Sequence, residues 1–338
     1  MMKTRAGREW NADKVLELAR SYQAPAVLAA AADLDLFNVL GAARSTAKAV
    51  AQRLRCDRRG LTILLDALAA LRLLRKRGDR YALAPGVERC LTAGGAGSVL
   101  AMTQHQANCL RRWTQLAQVI KTTHPAELRP SVRGEQGDQE AFIGAMHDVS
   151  APAAAQVIRG IRPRPFEHLL DVGGASGTWT IAILRAHPSA RATLFDLPSV
   201  IGLARRRLAA AGLLERVQLV GGDFSKDALP RGADLAWVSA IVHQHSRAQN
   251  RQLFKNVRRA LRPGGRIAIR DILMDATRTR PVAGALFAVN MLVATAGGGT
   301  FTFEELREDL AAAGFTQATV ARRDAGMNSV VVARKNET

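Results

Sequence analysis

The stretch His168-Leu169-Leu170-Asp171-Val172-Gly173-Gly174-Ala175-Ser176-Gly177 constrains this chain more than any other. An apolar strand runs into an acidic residue, a glycine loop follows, and a helical pattern starts. Glycines there permit a tight turn and a close approach of a ligand to the backbone. From residue 167 onward, strand and helix patterns alternate: strands at 168–172, 192–196, 217–220, 235–239 and 266–270, with helices at 177–186, 199–212 and 247–261 between them. Such alternation builds a parallel sheet with crossover helices, an α/β architecture. The end departs from it. A helix at 303–313 and Gly314 lead to strands at 316–321 and 329–333 joined by a short turn. The hairpin predicts seven strands with one antiparallel edge strand.

The loop at 173–177 discriminates between ligands. A pyrophosphate favours Gly-x-Gly-x-x-Gly and the helix N-terminus as an anion site. Gly173, Gly174 and Gly177 do not have that spacing, and Asp171 is expected at the mouth of the loop. A carboxylate there repels phosphate and suits a ligand that bears an ammonium and a sulfonium. Asp196 ends the second strand, where an acidic side chain meets ribose hydroxyls. Asp223 and Phe224 follow the third strand, as an acceptor for an adenine amine and a surface for its ring. The three acidic positions in order point to S-adenosylmethionine (SAM) rather than a dinucleotide.

Upstream, residues 13–40 read as helix, from apolar residues at three- and four-residue steps. A short helix from Ser45-Thr46 to Leu54, a polar turn, a second helix over 61–74 and the basic hairpin Arg75–Leu83 make a winged-helix order. In a DNA-binding protein the second helix enters the major groove. Here Leu61, Ile63, Leu64, Leu65, Leu68, Leu71, Leu73 and Leu74 cover most of its circumference, so it is expected to be buried on more than one side. Packing or dimerisation is therefore expected over reading of base edges. Residues 98–161 form an irregular helical connector, broken at His124-Pro125 and by a polar loop over 129–138. Three regions are expected: 1–100, 101–160 contributing to a substrate pocket, and 161–338 binding the cofactor.

Net charge of +19 raises nucleic acid as a partner. The basic residues are scattered, with no run of five, which favours solvated faces and predicts no nucleic-acid partner. No apolar run is long enough to span a membrane. The basic start, residues 1–10, leads into no apolar segment and does not resemble a secretory signal. Cys56, Cys90 and Cys109 show no metal-ligand spacing, so a cytoplasmic protein without metal is expected.

Leu170-Asp171-Val172-Gly173-Gly174, Phe195-Asp196-Leu197-Pro198, Gly221-Gly222-Asp223-Phe224 and Leu261-Arg262-Pro263-Gly264-Gly265 resemble the O-methyltransferases of the caffeate, acetylserotonin and hydroxyneurosporene type. The resemblance spans nearly the whole chain. It implies a Rossmann-like seven-stranded SAM methyltransferase sheet and an N-terminal all-helical, winged-helix-like dimerisation domain that forms a homodimer. It implies that Asp171, Gly173, Gly174, Gly177, Asp196, Leu197, Gly222, Asp223 and Phe224 hold SAM, which leaves as S-adenosylhomocysteine. A lysine near the SAM carboxylate in plant relatives aligns with Ser239. The general-base histidine of the family's His-Asp-Trp motif corresponds to His243, with Gln244 and His245 in place of the Asp and Trp. Asp271 stands where an acidic residue orients that base, and Thr300 replaces a second supporting Glu. Phe142 and Met146 in the connector, and Asn290 and Met291 on a late helix, match positions that face the substrate.

The implied reaction moves a methyl group to a hydroxyl of a small, aromatic secondary metabolite. A phenol is too weak an acid for histidine to ionise it ahead of attack. The proton is expected to leave as the oxygen attacks. The altered motif leaves S- or N-methylation, or SAM binding without methylation, as alternatives. A winged-helix DNA-binding regulator is the third.

Overall fold

A computed structural model of the chain describes residues 9–41 and 43–337. The basic residues 1–8 lie outside the described residues. Two compact units form: residues 1–110 with 129–145, and residues 111–128 with 146–338. The expected connector, 101–160, is thus shared between them.

The first unit contains α1 (Ala12–Arg20), α2 (Gln23–Asp33), α3 (Leu36–Leu40), β1 (Ser45–Thr46), α4 (Ala47–Leu54), α5 (Arg58–Ala70), β2 (Leu74–Arg77), β3 (Arg80–Leu83), α6 (Val87–Leu91) and most of α7 (Leu100–Trp113). The single helix expected over 13–40 is three helices. Asp35 takes a left-handed backbone (φ 57°) at the break before α3. Strands β1, β3 and β2 form a small antiparallel sheet in that order. Phe37, Leu40, Val50, Leu65, Leu68 and Tyr81 meet in its core. α5 buries one face only, through Leu61, Leu65 and Leu68. Ile63 is 56% exposed, so the apolar circumference of this helix is not covered within the chain. α1 buries no residue, and Val15, Leu16, Leu18 and Tyr22 are exposed.

The second unit takes in α8 (Leu116–Thr122) and the latter part of α9 (Gly134–Ile161), whose first part belongs to the first unit. Then follow β4 (His168–Val172), α10 (Thr178–Ala186), β5 (Arg191–Asp196), α11 (Pro198–Ala210), β6 (Val217–Gly221), β7 (Ala233–Ser239), α12 (Arg247–Ala260), β8 (Leu261–Asp271), β9 (Leu273–Met274), α13 (Val282–Ala294), β10 (Phe301–Thr302), α14 (Phe303–Ala312), β11 (Phe315–Arg322) and β12 (Ser329–Lys335). The main sheet has seven strands in the order β11-β12-β8-β7-β4-β5-β6. β4 to β8 are mutually parallel, and β12 runs antiparallel to both β8 and β11. The reversed strand therefore lies inside the sheet and not at its edge. The hairpin returns to insert β12 between β8 and β11, which turns β11 back into the direction of β8.

Both sheet faces are packed. Phe254, Val257, Ile267, Ile269 and Leu310 lie on the α12–α14 side, and Ile158, Trp179, Ile183, Leu208 and Trp237 on the other. α12 begins with a capping box, in which Ser246 and Gln249 exchange side-chain and backbone hydrogen bonds. It is tied to α14 by Asp309, which is fully buried and accepts from Arg247 Nε (3.0 Å) and Arg251 Nε (2.6 Å). These hydrogen bonds anchor the helix that follows the His243 loop. Asp309→Ala is expected to lose about 2–3 kcal/mol, because charge-assisted bonds vanish while the two arginines keep partial access to water. A urea titration checks it, and an unchanged midpoint contradicts it.

Candidate active site

Five parallel strands end on one edge of the sheet, and the candidate residues gather there. Asp196, at the end of β5, organises the glycine loop. Its Oδ2 accepts from the Ala175 N–H (2.7 Å) and its Oδ1 from the Leu197 N–H (2.7 Å). Each carboxylate oxygen retains a lone pair, so a vicinal diol has acceptors to meet. The backbone carbonyl of Asp196 accepts from Gly222 N–H at 2.9 Å, which joins the third candidate segment to the second. Gly173 N–H donates to the Phe195 carbonyl (2.8 Å). Gly173 has φ +66°, and a Cβ there would collide with Ile241 Cδ1 and sit 3.7 Å from the Phe224 ring. Gly177, at φ +75°, caps α10.

Asp171 sits elsewhere than expected. It is 1% exposed, lies beneath Gly174 and accepts from Thr180 Oγ1 at 2.5 Å. It braces the loop from below and does not stand at its mouth. Burial, with the neighbouring Asp196 charge adding, pushes its carboxyl up to about 7 against the Thr180 hydrogen bond. A raised acid pKa makes the neutral form the stabilising one. Its contribution is complete below about pH 4, shrinks as pH rises to about 7, and is constant above that. The swing is at most about 4 kcal/mol. Asp171→Asn is expected to flatten this slope in unfolding titrations at pH 5 and pH 8. Parallel pH profiles for the two proteins would contradict it. Burial likewise raises Asp196, and its two backbone donors oppose the shift.

Asp223 is occupied by its own turn. It accepts from Ser225 N–H (2.9 Å) and Oγ (2.5 Å) and pairs with Lys226 at 3.2 Å. These contacts hold its carboxyl below the ordinary range, the Ser225 hydroxyl foremost. Phe224 is half-buried, its ring edge-on to His245 at 5.7 Å. Ser239, at the end of β7, accepts from Arg270 Nη1 (3.1 Å). Arg270 is 2% exposed, stacks over Trp179 at 4.4 Å and reaches Asn328, and burial lowers its pKa to about 10. The strand pairing sets Ser239 beside Arg270, so a guanidinium adjoins the serine that the resemblance aligns with a lysine.

His243 lies in a single helical turn, Val242–Gln244, after β7. It is 6% exposed, and its Nδ1 stands 2.9 Å from both carboxylate oxygens of Asp271, which ends β8. An ionised carboxylate only accepts, so this geometry suits an imidazole tautomer with its proton on Nδ1 and its lone pair on Nε2. The Phe287 ring meets the imidazole edge-on at 4.8 Å. Asn250 Nδ2 donates to the Val242 carbonyl and Gly299 N–H to the His243 carbonyl, both at 2.9 Å, which hold this turn in place. His245 Nδ1 is buried without a partner among the described residues, and burial lowers this imidazole's pKa. Gln244 is exposed and donates to the Ala240 carbonyl (3.2 Å). Thr300 is buried, and its carbonyl accepts from Arg278 Nη1 (3.0 Å).

On α13, Asn290 and Met291 lie one turn beyond Phe287. Asn290 Oδ1 accepts from Trp113 Nε1 at 2.9 Å. An indole only donates, so this contact fixes the amide and turns its NH2 away from Trp113. Met146 is half-buried in the second unit. Phe142 belongs to the first unit, 42% exposed, with its ring edge-on to His105 at 5.2 Å. Thr180, Trp113, Phe287 and Arg270 escaped the sequence reading. Only Phe287 carried a signal, at three- and four-residue spacing from Asn290 and Met291 on one helix.

The residues at the strand ends fit SAM. The carboxylate that meets the loop backbone leaves acceptors for a diol, an aromatic ring flanks the loop, and the loop itself, 173–177, carries no basic side chain that would call for phosphate. Among the described residues, no group of three or more His, Cys, Asp or Glu gathers as a metal site, and no helix is long and apolar enough to cross a membrane.

Residues 94–316 match the model of an O-methyltransferase domain, and residues 16–93 that of an O-methyltransferase dimerisation domain. The chain is 33% identical to 3-hydroxy-5-methyl-1-naphthoate 3-O-methyltransferase of Streptomyces sahachiroi, over 91% of each protein. It is 28% identical to the N,N-dimethyltransferase OxyT of Streptomyces rimosus, over 93% of each. Its fold is shared with human N-acetylserotonin methyltransferase in complex with SAM, at a TM-score of 0.79 and 24% identity, covering 98% of this chain and 99% of that one. The chain belongs to the O-methyltransferase family, and is a SAM-dependent methyltransferase whose dimerisation domain precedes its catalytic domain.

Proposed function

We propose that this enzyme methylates a hydroxyl group of a small aromatic secondary metabolite, with His243 as general base. The observation that carries the reading is the His243–Asp271 pair, with both carboxylate oxygens 2.9 Å from Nδ1. When bound, SAM supplies an electrophilic methyl group on its sulfonium. His243 Nε2 accepts the hydroxyl proton as the acceptor oxygen attacks. Asp271 stabilises the imidazolium that results and holds its tautomer beforehand. Burial of both groups excludes water, which strengthens their interaction. Asp196 holds the ribose hydroxyls, Gly173, Gly174 and Gly177 give the cofactor close access to the backbone, Leu197, Gly222, Asp223 and Phe224 border the adenosine, and Ser239 with Arg270 lies toward its carboxylate. Asp171 acts through the loop it braces. Phe287, Asn290 and Met291 face the acceptor, as does Met146 of the same unit. Phe142 rests on the family resemblance alone.

The test is transfer of label from radiolabelled SAM to panels of phenols, thiols and amines. Label on a phenol is the expected result. Label confined to amines or thiols would replace this reading. The relationship to an N,N-dimethyltransferase makes an amine the specific rival. Turnover is expected to survive dialysis against EDTA, and a loss reversed by Mg²⁺ would show a metal requirement.

The first unit is read as the homodimer contact. Leu16, Leu18 and Ile63 are exposed on α1 and α5, within the stretch matched by the dimerisation model, and Val15 is exposed just before it. Light scattering is expected to give twice the 36.4 kDa chain mass. Leu16→Glu with Leu18→Glu should shift it toward one. The three free thiols suit a cytoplasmic enzyme.

A further inference from the structure

A cleft of 330 Å³ opens on the α9–α10 side of the main sheet, away from the strand ends that carry the methyl-transfer residues. Its floor is apolar: Ile158, Ile183, Leu235, Trp237, Ala268 and Val332. Its rim is cationic: Arg162, Arg164, Arg266 and Arg334 line it, and among the described residues no acidic one does. Arg266 and Arg334 are register partners on β8 and β12, so two guanidinium-bearing residues stand side by side. Like charges directly opposite on neighbouring strands are unfavourable. The carboxylates beside them are Glu337, paired with Arg334, and Asp234, which also accepts from the Glu167 and His168 N–H groups. Arg266 spends one nitrogen on the Arg164 and Pro165 carbonyls, which fixes the rim. Arg162 and Arg164 are exposed.

The floor holds a second oddity. Trp237 is 1% exposed, and its indole Nε1 is buried without a hydrogen-bond partner among the described residues. An unmet buried donor costs about 1–3 kcal/mol. Neither this donor nor the arginine rim belongs to the strand ends where Asp196 and His243 stand.

We propose that this cleft is a second binding site, for a small apolar molecule that ends in a carboxylate. The apolar body lies against Ile161, Ala321 and Val332, which keep accessible surface, and the carboxylate is held among Arg164, Arg266 and Arg334. A guanidinium meets a carboxylate through paired donors, which a hydroxyl cannot replace. Selectivity for acid over alcohol of the same chain is the mark of the site.

The experiment is calorimetric titration of the full-length protein, saturated with S-adenosylhomocysteine, with decanoate and separately with 1-decanol. Decanoate is expected to bind at one site per chain, at least tenfold tighter than the alcohol. Arg164→Ala with Arg334→Ala should weaken decanoate at least tenfold and leave S-adenosylhomocysteine affinity unchanged. Thr319→Trp, which fills the mouth from β11, should abolish binding with the arginines intact; it keeps the proposal testable if the double variant fails to fold. No decanoate binding, equal affinity for acid and alcohol, or undiminished binding in a folded variant would each overturn the site.

Discussion

His243→Ala is expected to lower kcat for the phenolic acceptor by roughly 10²- to 10⁴-fold, the usual worth of a positioned general base. S-adenosylhomocysteine affinity should stay within about twofold, because the imidazole faces Asp271 and Phe287 and not the glycine loop. Asp271→Asn sharpens the same point. An asparagine can offer its NH2 to Nδ1, which moves the imidazole proton to Nε2 and blocks the base. It should approach the alanine variant in kcat although the histidine is intact. Stopped turnovers at saturating SAM measure both. A His243→Ala enzyme with undiminished kcat on its true acceptor would remove the base role and favour an amine or thiol, which needs less help in losing a proton.

Gly173→Ala carries the second large effect, this time on the cofactor. A side chain at φ +66° costs about 1–2 kcal/mol. The new methyl also meets Ile241 Cδ1, so that side chain or the loop must move. The loop holds Ala175 against Asp196, and any shift separates the candidate ribose site from its backbone donor. Affinity for S-adenosylhomocysteine is expected to fall roughly ten- to hundredfold, about 1.4–2.8 kcal/mol. The double variant Gly173→Ala, Ile241→Ala should recover part of it, since the clash is relieved and the backbone strain remains. Full recovery would mean that strain is negligible, and no loss in the single variant would mean that the loop is free to move.

Much of the fold was legible because local patterns carried it. The strands 168–172, 217–220 and 235–239 lie within or coincide with the observed strands, since fully buried parallel strands appear as apolar runs between turn signals. The late hairpin was legible too, while the place of its reversed strand was not. Sequence shows that two strands are joined by a turn, but which one inserts beside β8 depends on edge pairing far along the chain. In α5, the leucines announced an apolar helix. That Ile63 stays uncovered within the chain depends on what packs against it.

The glycine loop shows the same division. By itself the sequence determined that an apolar strand, three glycines and a series of strand-end acids lie at one edge of the sheet, because strand polarity carries them all there. It also determined the candidate base, by its place after the fourth parallel strand. Only the tertiary structure decided what each group faces. Asp171 is turned under the loop toward Thr180 and becomes a brace, while Asp196 is drawn against the loop backbone. Asp271 meets His243 across 28 residues of chain because β7 and β8 are neighbours. The physical reason is that spacing along a chain sets the element and its end, whereas side-chain partners, burial and ionisation are set by whatever other segments the sheet brings alongside.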